Sequence, residues 1–176
     1  MKDLDAMLGG PLAPAPNLSK GFHRVLFGMI EKWAPRKDLL LIAENPQVIP
    51  SVQSHLSGLW DIDCIGYGGA KGEGFSLDLN ILGNFDREYA CVMSQALLEH
   101  VCRPSIAIEN MLRMTEPGGV VILHTVNPGC GYHAFPIDCV RFFPDFWADL
   151  AKYLPFELLW FKEHHQNHFA AMRRTA

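Results

Sequence analysis

The sequence predicts an α/β protein with a mainly parallel sheet covered by helices. Three observations lead there. Short continuous apolar runs, Leu39–Ile42 and Val120–Leu123 foremost, read as strands buried on both faces. They alternate with segments whose apolar residues recur at helical spacing, as Phe22, Leu26, Met29, Ile30 and Trp33 do. The chain has 176 residues, 49% of them apolar and 19% charged, which is long enough for one well-buried core and too apolar for a disordered chain.

Residues 1–18 contain Gly9, Gly10, Pro11, Pro14 and Pro16 and are expected to form a flexible arm ahead of a single domain, residues 19–176. Ser19 can cap a helix over residues 20–33, stopped by Pro35. The first strand, residues 39–42, is followed by a helix over about residues 46–56 that Gly58 ends, and a second strand over residues 59–65. Five glycines between Gly66 and Gly74 mark a loop, because a residue without Cβ is costly to order. A third strand is expected over residues 75–79 and a fourth over residues 89–94. Two helices follow, over residues 95–101 and 104–114, the second opened by Pro104 at a first helical position. Pro117-Gly118-Gly119 reads as a turn before the fifth strand, residues 120–124. After a long loop come an amphipathic helix over residues 144–153 and two closing strands, residues 156–161 and 168–173, joined by a hairpin. The hairpin should place the last strand antiparallel between its neighbours. In such sheets ligands bind beyond the carboxyl ends of the strands, where the strand order reverses.

Composition excludes several classes. Fifteen Lys and Arg against nineteen Asp and Glu leave a net charge of -4, the wrong sign for a dedicated nucleic-acid binder. No run approaches the ~18 apolar residues that cross a bilayer, and the first residues lack the pattern of a secretory signal. Five cysteines with no Cys-x-x-Cys pair suit reduced thiols in a cytoplasmic setting. Gly-x-Ser-x-Gly, a phosphate-binding Walker loop and the dinucleotide glycine fingerprint are all absent.

Several motifs together resemble one family. Asn84-Phe-Asp86, Ala96-Leu-Leu-Glu99-His100-Val101, Arg103-Pro104 and Met114-Thr-Glu-Pro117-Gly118-Gly119, the last running into a strand, are similar to the class I S-adenosylmethionine-dependent methyltransferases. His133-x-x-Pro136-x-Asp138-x-x-Arg141-Phe142 resembles a subgroup with this spacing after strand five. The resemblance covers residues 38–173 and implies a Rossmann-like sheet of seven mostly parallel strands. The departure lies after the first strand, where the family carries Gly-x-Gly-x-Gly and this chain has Ala43-Glu44-Asn45-Pro46. Side chains there take space near the methionine part of the cofactor, and Pro46 removes an amide donor.

The resemblance implies S-adenosylmethionine as cofactor, bound weakly, with Ala43, Glu44, Asn45, Asp63, Asp78, Leu79 and Ser94 around it. Asp63 would hold the ribose hydroxyls and Asp78 the adenine amino group. His100 and His133 are the candidate catalytic bases, since imidazole titrates near neutral pH. His133, Asp138 and Arg141 are the candidate substrate residues, and Asp138 and Arg141, three apart, can pair and hold their loop. No metal site is expected: His164, His165 and His168 lie on a hairpin with Glu163 as their only acidic neighbour. The expected activity is methyl transfer to a small-molecule or glycan-like acceptor, without nucleic acid or membrane, in a chain able to form a homo-oligomer or meet a protein partner. The competing expectations are a non-catalytic relative that serves as a binding or assembly subunit, and a nucleotide-binding module.

Overall fold

The structure is a computed structural model and describes residues 22–67, 76–134 and 137–176. The arm expected over residues 1–18 and most of the glycine-rich loop lie outside the described residues.

Helix α1 (Phe22–Trp33) buries Val25, Leu26, Met29 and Ile30 along one stripe. Strand β1 (Asp38–Ile42) is buried along its whole length, as a central parallel strand must be. Asn45 then caps a single 3-10 turn, Pro46–Val48, that leads into the short helix α2 (Ile49–His55). Strand β2 is Asp61–Tyr67, β3 is Ser76–Leu77 and β4 is Tyr89–Gln95. Helix α3 (Pro104–Arg113), strand β5 (Thr115–Val126), helix α4 (Pro144–Leu150) and strands β6 (Phe156–His164) and β7 (Asn167–Arg174) complete the chain.

The strand order is β3-β2-β1-β4-β5-β7-β6. Strands β3, β2, β1, β4 and β5 pair in parallel, and β7 is antiparallel to both β5 and β6. The order reverses between β1 and β4, which puts the ligand-binding crevice at their carboxyl ends. Alternate strand residues feed two cores. Leu39, Leu41, Cys91, Met93, Val120 and Ile122 face α1 and α2. Leu40, Ile42, Val92, Val121 and Leu123 face α3 and α4. Two covered faces explain why these strands read as continuous apolar runs.

Three local expectations are corrected. In place of seven mostly parallel strands, six strands of five residues or more form a mixed sheet, and the third one expected shrinks to the two residues of β3. It stops because Asp78 folds back at once: its Oδ1 accepts from the Asn80 amide at 2.9 Å. The helix expected over residues 95–101 is strand as far as Gln95, a left-handed Ala96 (φ 47°) and one 3-10 turn, Leu98–His100. Pro104 keeps the residue before it from helical backbone, so that turn cannot run on into α3. Finally, Pro117-Gly118-Gly119 lies inside β5, where the pairing register with β4 jumps between Tyr89 and Cys91. A Cβ at Gly119 would stand 2.9 Å from the carbonyl oxygens of Ala90 and Glu116, so this close approach requires glycine.

Candidate active site

The turn after β1 keeps the shape of a glycine turn without a glycine. Ala43 has φ 63°, the left-handed region that side chains resist, and its amide donates to the Ile65 carbonyl at 2.7 Å. Alanine carries the smallest side chain that can be placed there. Glu44 follows, half-buried, and burial pushes its carboxyl above the usual range. Asn45 is committed locally, its Oδ1 accepting from the Gln47 amide at 2.9 Å. Beside this turn a cleft of about 360 Å³ opens between α1 and α2. Phe27, Leu41 and Met93 line it together with Glu44, His55 and Gln95.

Ser94 is level with Ile42 of β1 and Leu123 of β5, at the same carboxyl edge. It is buried, and its hydroxyl has no hydrogen-bond partner among the described residues. The 3-10 turn that follows delivers Glu99 and His100, and the loop after β5 delivers His133. The rings of His100 and His133 meet edge to face with centroids 5.1 Å apart. Both Nε2 atoms point at Oε1 of Glu99, at 3.9 Å from His100 and 3.8 Å from His133. Glu99 is fully buried, and its other oxygen accepts from Thr125 Oγ1 at 2.6 Å. The two sequence-derived histidines therefore converge, around a carboxylate that sequence reasoning passed over. Its signal was present in the Leu-Glu-His motif, but nothing local says that this glutamate is buried.

Asp138 and Arg141 form the pair their spacing suggests, and the pair serves the loop. Both Arg141 Nη atoms bind the two Asp138 oxygens, Nη2 to Oδ2 at 2.6 Å. Arg141 also donates to the carbonyls of Cys130 (3.1 Å) and Gly131 (2.8 Å), and Asp138 accepts from the His133 amide at 2.8 Å. The Arg141 guanidinium holds the Asp138 carboxyl well below the usual range. Their polar atoms are spent on fixing residues 130–133, which sets the angle of the His133 ring.

Other candidate residues lie apart from this site. Asp63 is the third residue of β2, level with Leu40, and does not stand at that strand's end. It accepts from Arg87 Nη1 at 2.6 Å and the Tyr89 hydroxyl at 2.8 Å. Arg87 also holds Asp38 and Asp61, so the group forms a clamp at the amino edge of the sheet, opposite the expected ribose contact. Burial, reinforced by the bond to Asp63, pushes the Tyr89 hydroxyl up to about 12. Asp78 is exposed and caps its own turn, while Leu79 is fully buried core. Of the hairpin histidines, His164 and His165 meet edge to face with ring centroids 4.1 Å apart, whereas His168 is fully buried in the core.

No protein-family model matches the chain, and no curated protein matches its sequence. Solved structures do match. The chain superposes on DhpI in complex with SAH with a TM-score of 0.65 at 16% identity, over 98% of this chain and 90% of that one. It superposes on the methyltransferase CcbJ of Streptomyces caelestis with a TM-score of 0.65 at 13% identity, over 95% and 100% of the two chains. The third, the 4+2 cyclase SpnF, gives 0.66 at 14% identity, over 98% and 91%. The chain thus has the Rossmann-like α/β fold of the class I S-adenosylmethionine-dependent methyltransferases. A cyclase among these neighbours makes plain that the fold does not choose the reaction.

Proposed function

We propose that this chain is an S-adenosylmethionine-dependent methyltransferase for a small-molecule or glycan-like acceptor, with residues 19–176 as its single domain. The observation that carries the reading is the preserved turn at the end of β1, a left-handed residue held by the Ile65 carbonyl where this fold uses glycine. The described residues fit the cofactor in part. Ala43, Glu44 and the free hydroxyl of Ser94 suit its methionine part, whereas Asp63 is too far down β2 to serve its ribose. The cofactor, when bound, supplies a methyl group on an electrophilic sulfonium. The protein's own task is to orient an acceptor, and alignment alone can supply about 7–11 kcal/mol. The carboxyl edge offers the exposed His133 face for that task.

A second reading, a non-catalytic binding subunit, is favoured by the diversion of Asp63 to Arg87 and of Asn45 to its cap. Calorimetric titration with S-adenosylmethionine and S-adenosylhomocysteine separates the two. With one amide donor lost at Pro46 and no ribose carboxylate at Asp63, dissociation constants near ~0.1–1 mM are expected. Absence of heat up to ~5 mM would decide for the binding subunit.

A further inference from the structure

We propose that Glu99, His100 and His133 form a binding site for a divalent transition-metal ion of the zinc class, with an outward position left for an oxygen ligand. The argument begins with Glu99, whose side chain is fully buried and whose Oε1 has no hydrogen-bond partner among the described residues. A buried carboxylate oxygen without a partner is costly, and its surroundings should contain something that compensates it. What faces it is a pair of imidazole nitrogens.

Each imidazole is set up to offer a lone pair rather than a proton. Nδ1 of His100 is held by the carbonyl of Ile137, and Nδ1 of His133 lies 3.1 Å from the carbonyl of Gly131. A carbonyl only accepts, so the ring proton of each neutral histidine belongs on Nδ1 and the lone pair on Nε2. Arg141 Nη2, 3.5 Å from Nδ1 of His133, is farther than the carbonyl and already donates to Gly131 and Asp138. Both lone pairs then point at an oxygen that also carries one, at 3.8 and 3.9 Å, too far for a hydrogen bond. A cation between them removes the conflict. Two metal–ligand bonds of about 2.0–2.1 Å span at most ~4.1 Å, so the gaps are within reach, and closing each by ~0.5 Å gives tetrahedral separations.

The supports are those of a metal centre. Each ligand is held from behind, His100 and His133 by backbone carbonyls and Glu99 by the buried Thr125 hydroxyl, the arrangement that fixes ligand orientation. Arg141, whose Nη2 lies 3.5 Å from His133 Nδ1, is neutralised by Asp138. Two imidazoles and one carboxylate suit zinc and its neighbours better than calcium or magnesium. Three protein ligands, with His133 41% exposed, leave one side of the ion to solvent or to an acceptor oxygen. His100, nearly buried, then serves as a ligand and not as a base. Binding of the ion does not require that the sulfonium cofactor bind, so the two readings stand or fall separately.

The test uses the full chain, stripped with chelator and titrated with Co2+, whose visible absorption reports coordination. One ion per chain is expected, with Zn2+ displacing it and raising the melting temperature. His133→Ala should weaken Co2+ binding by about 100-fold or more, and Glu99→Gln, which keeps shape and removes charge, should do the same. His164→Ala combined with His165→Ala should leave it unchanged, which excludes the hairpin pair as the site. If Glu99→Gln fails to fold, the half-exposed His133 variant still decides. Absence of binding at ~1 mM Co2+ and Zn2+, or equal binding in the His133 variant, would overturn the proposal.

Discussion

The indole Nε1–H of Trp147 donates a 3.0 Å hydrogen bond to Nδ1 of His168, and both side chains are fully buried. Trp147 is on α4 and His168 is the second residue of β7, so this bond ties the last helix to the antiparallel strand. Phe142, Phe146 and Phe161 pack their rings around the indole. An indole can only donate, which leaves the His168 proton on Nε2, 3.4 Å from Glu163 Oε2.

That arrangement predicts acid lability. Burial lowers the pKa of His168 although Glu163 pulls the other way, and burial also lowers that of His124. A histidine lowered in the folded state binds fewer protons there than when unfolded. Its stabilisation is therefore complete above the unfolded value of about 6.5 and lost as pH falls below it. Urea midpoints measured from pH 8 to pH 5 should decline, chiefly below about pH 6.5. A flat profile would mean that these histidines take up protons as readily in the folded protein as in the unfolded one.

Trp147→Phe should destabilise the fold by roughly 2–4 kcal/mol, combining a cavity in the aromatic cluster with a stranded Nδ1 acceptor. Chemical denaturation checks it, and a loss under ~0.5 kcal/mol would show that the hydrogen bond and the packing around it carry little.

Ala43→Gly should be neutral or stabilising by up to about 1 kcal/mol. Releasing a left-handed alanine gains ~1–2 kcal/mol, and the freer unfolded chain returns part of it. Ala43→Val should destabilise, because a β-branched side chain tolerates φ 63° poorly. In the same variants, S-adenosylhomocysteine titration should show tighter binding for glycine. Identical affinities in all three proteins would place the cofactor away from this turn.

The clamp at the amino edge predicts a separation of stability from binding. Arg87→Met leaves Asp38, Asp61 and Asp63 facing one another, and with Arg87 about half exposed the cost should be about 1–2 kcal/mol. Asp63→Ala should leave cofactor affinity within about twofold, since its carboxylate is spent on Arg87 and Tyr89. A drop of tenfold or more would restore Asp63 to the ribose.

Cys102 and Cys139 have sulfurs 3.1 Å apart across 37 residues. About 1 Å of approach reaches disulfide length. Treatment with diamide, which takes up the two electrons and two protons released by the thiols, should remove two titratable thiols and raise the melting temperature, as a closed loop of this size is worth about 3–4 kcal/mol. Both changes should vanish in Cys102→Ser.

The strands and helices themselves were determined by short-range pattern. Leu39–Ile42 is apolar throughout because both of its faces are covered, and α1 shows its stripe because only one face is. The closing hairpin and its antiparallel β7 follow from two apolar segments joined by a short turn. What the sequence alone could not determine was register and burial. Whether Asp63 stands at the end of β2 or in its middle depends on where β2 meets β1, which is Asp38 against Asp61. That pairing also carries Asp63 into reach of Arg87, 24 residues away. Glu99 looks like a solvent-facing helix residue in its own neighbourhood. Only Thr125 on β5 and the loop that brings His133 across make it a buried carboxylate. Apolar periodicity is written locally, residue by residue along the chain. Desolvation and charge pairing are properties of groups that meet in space, and here those groups come from separate elements of the chain.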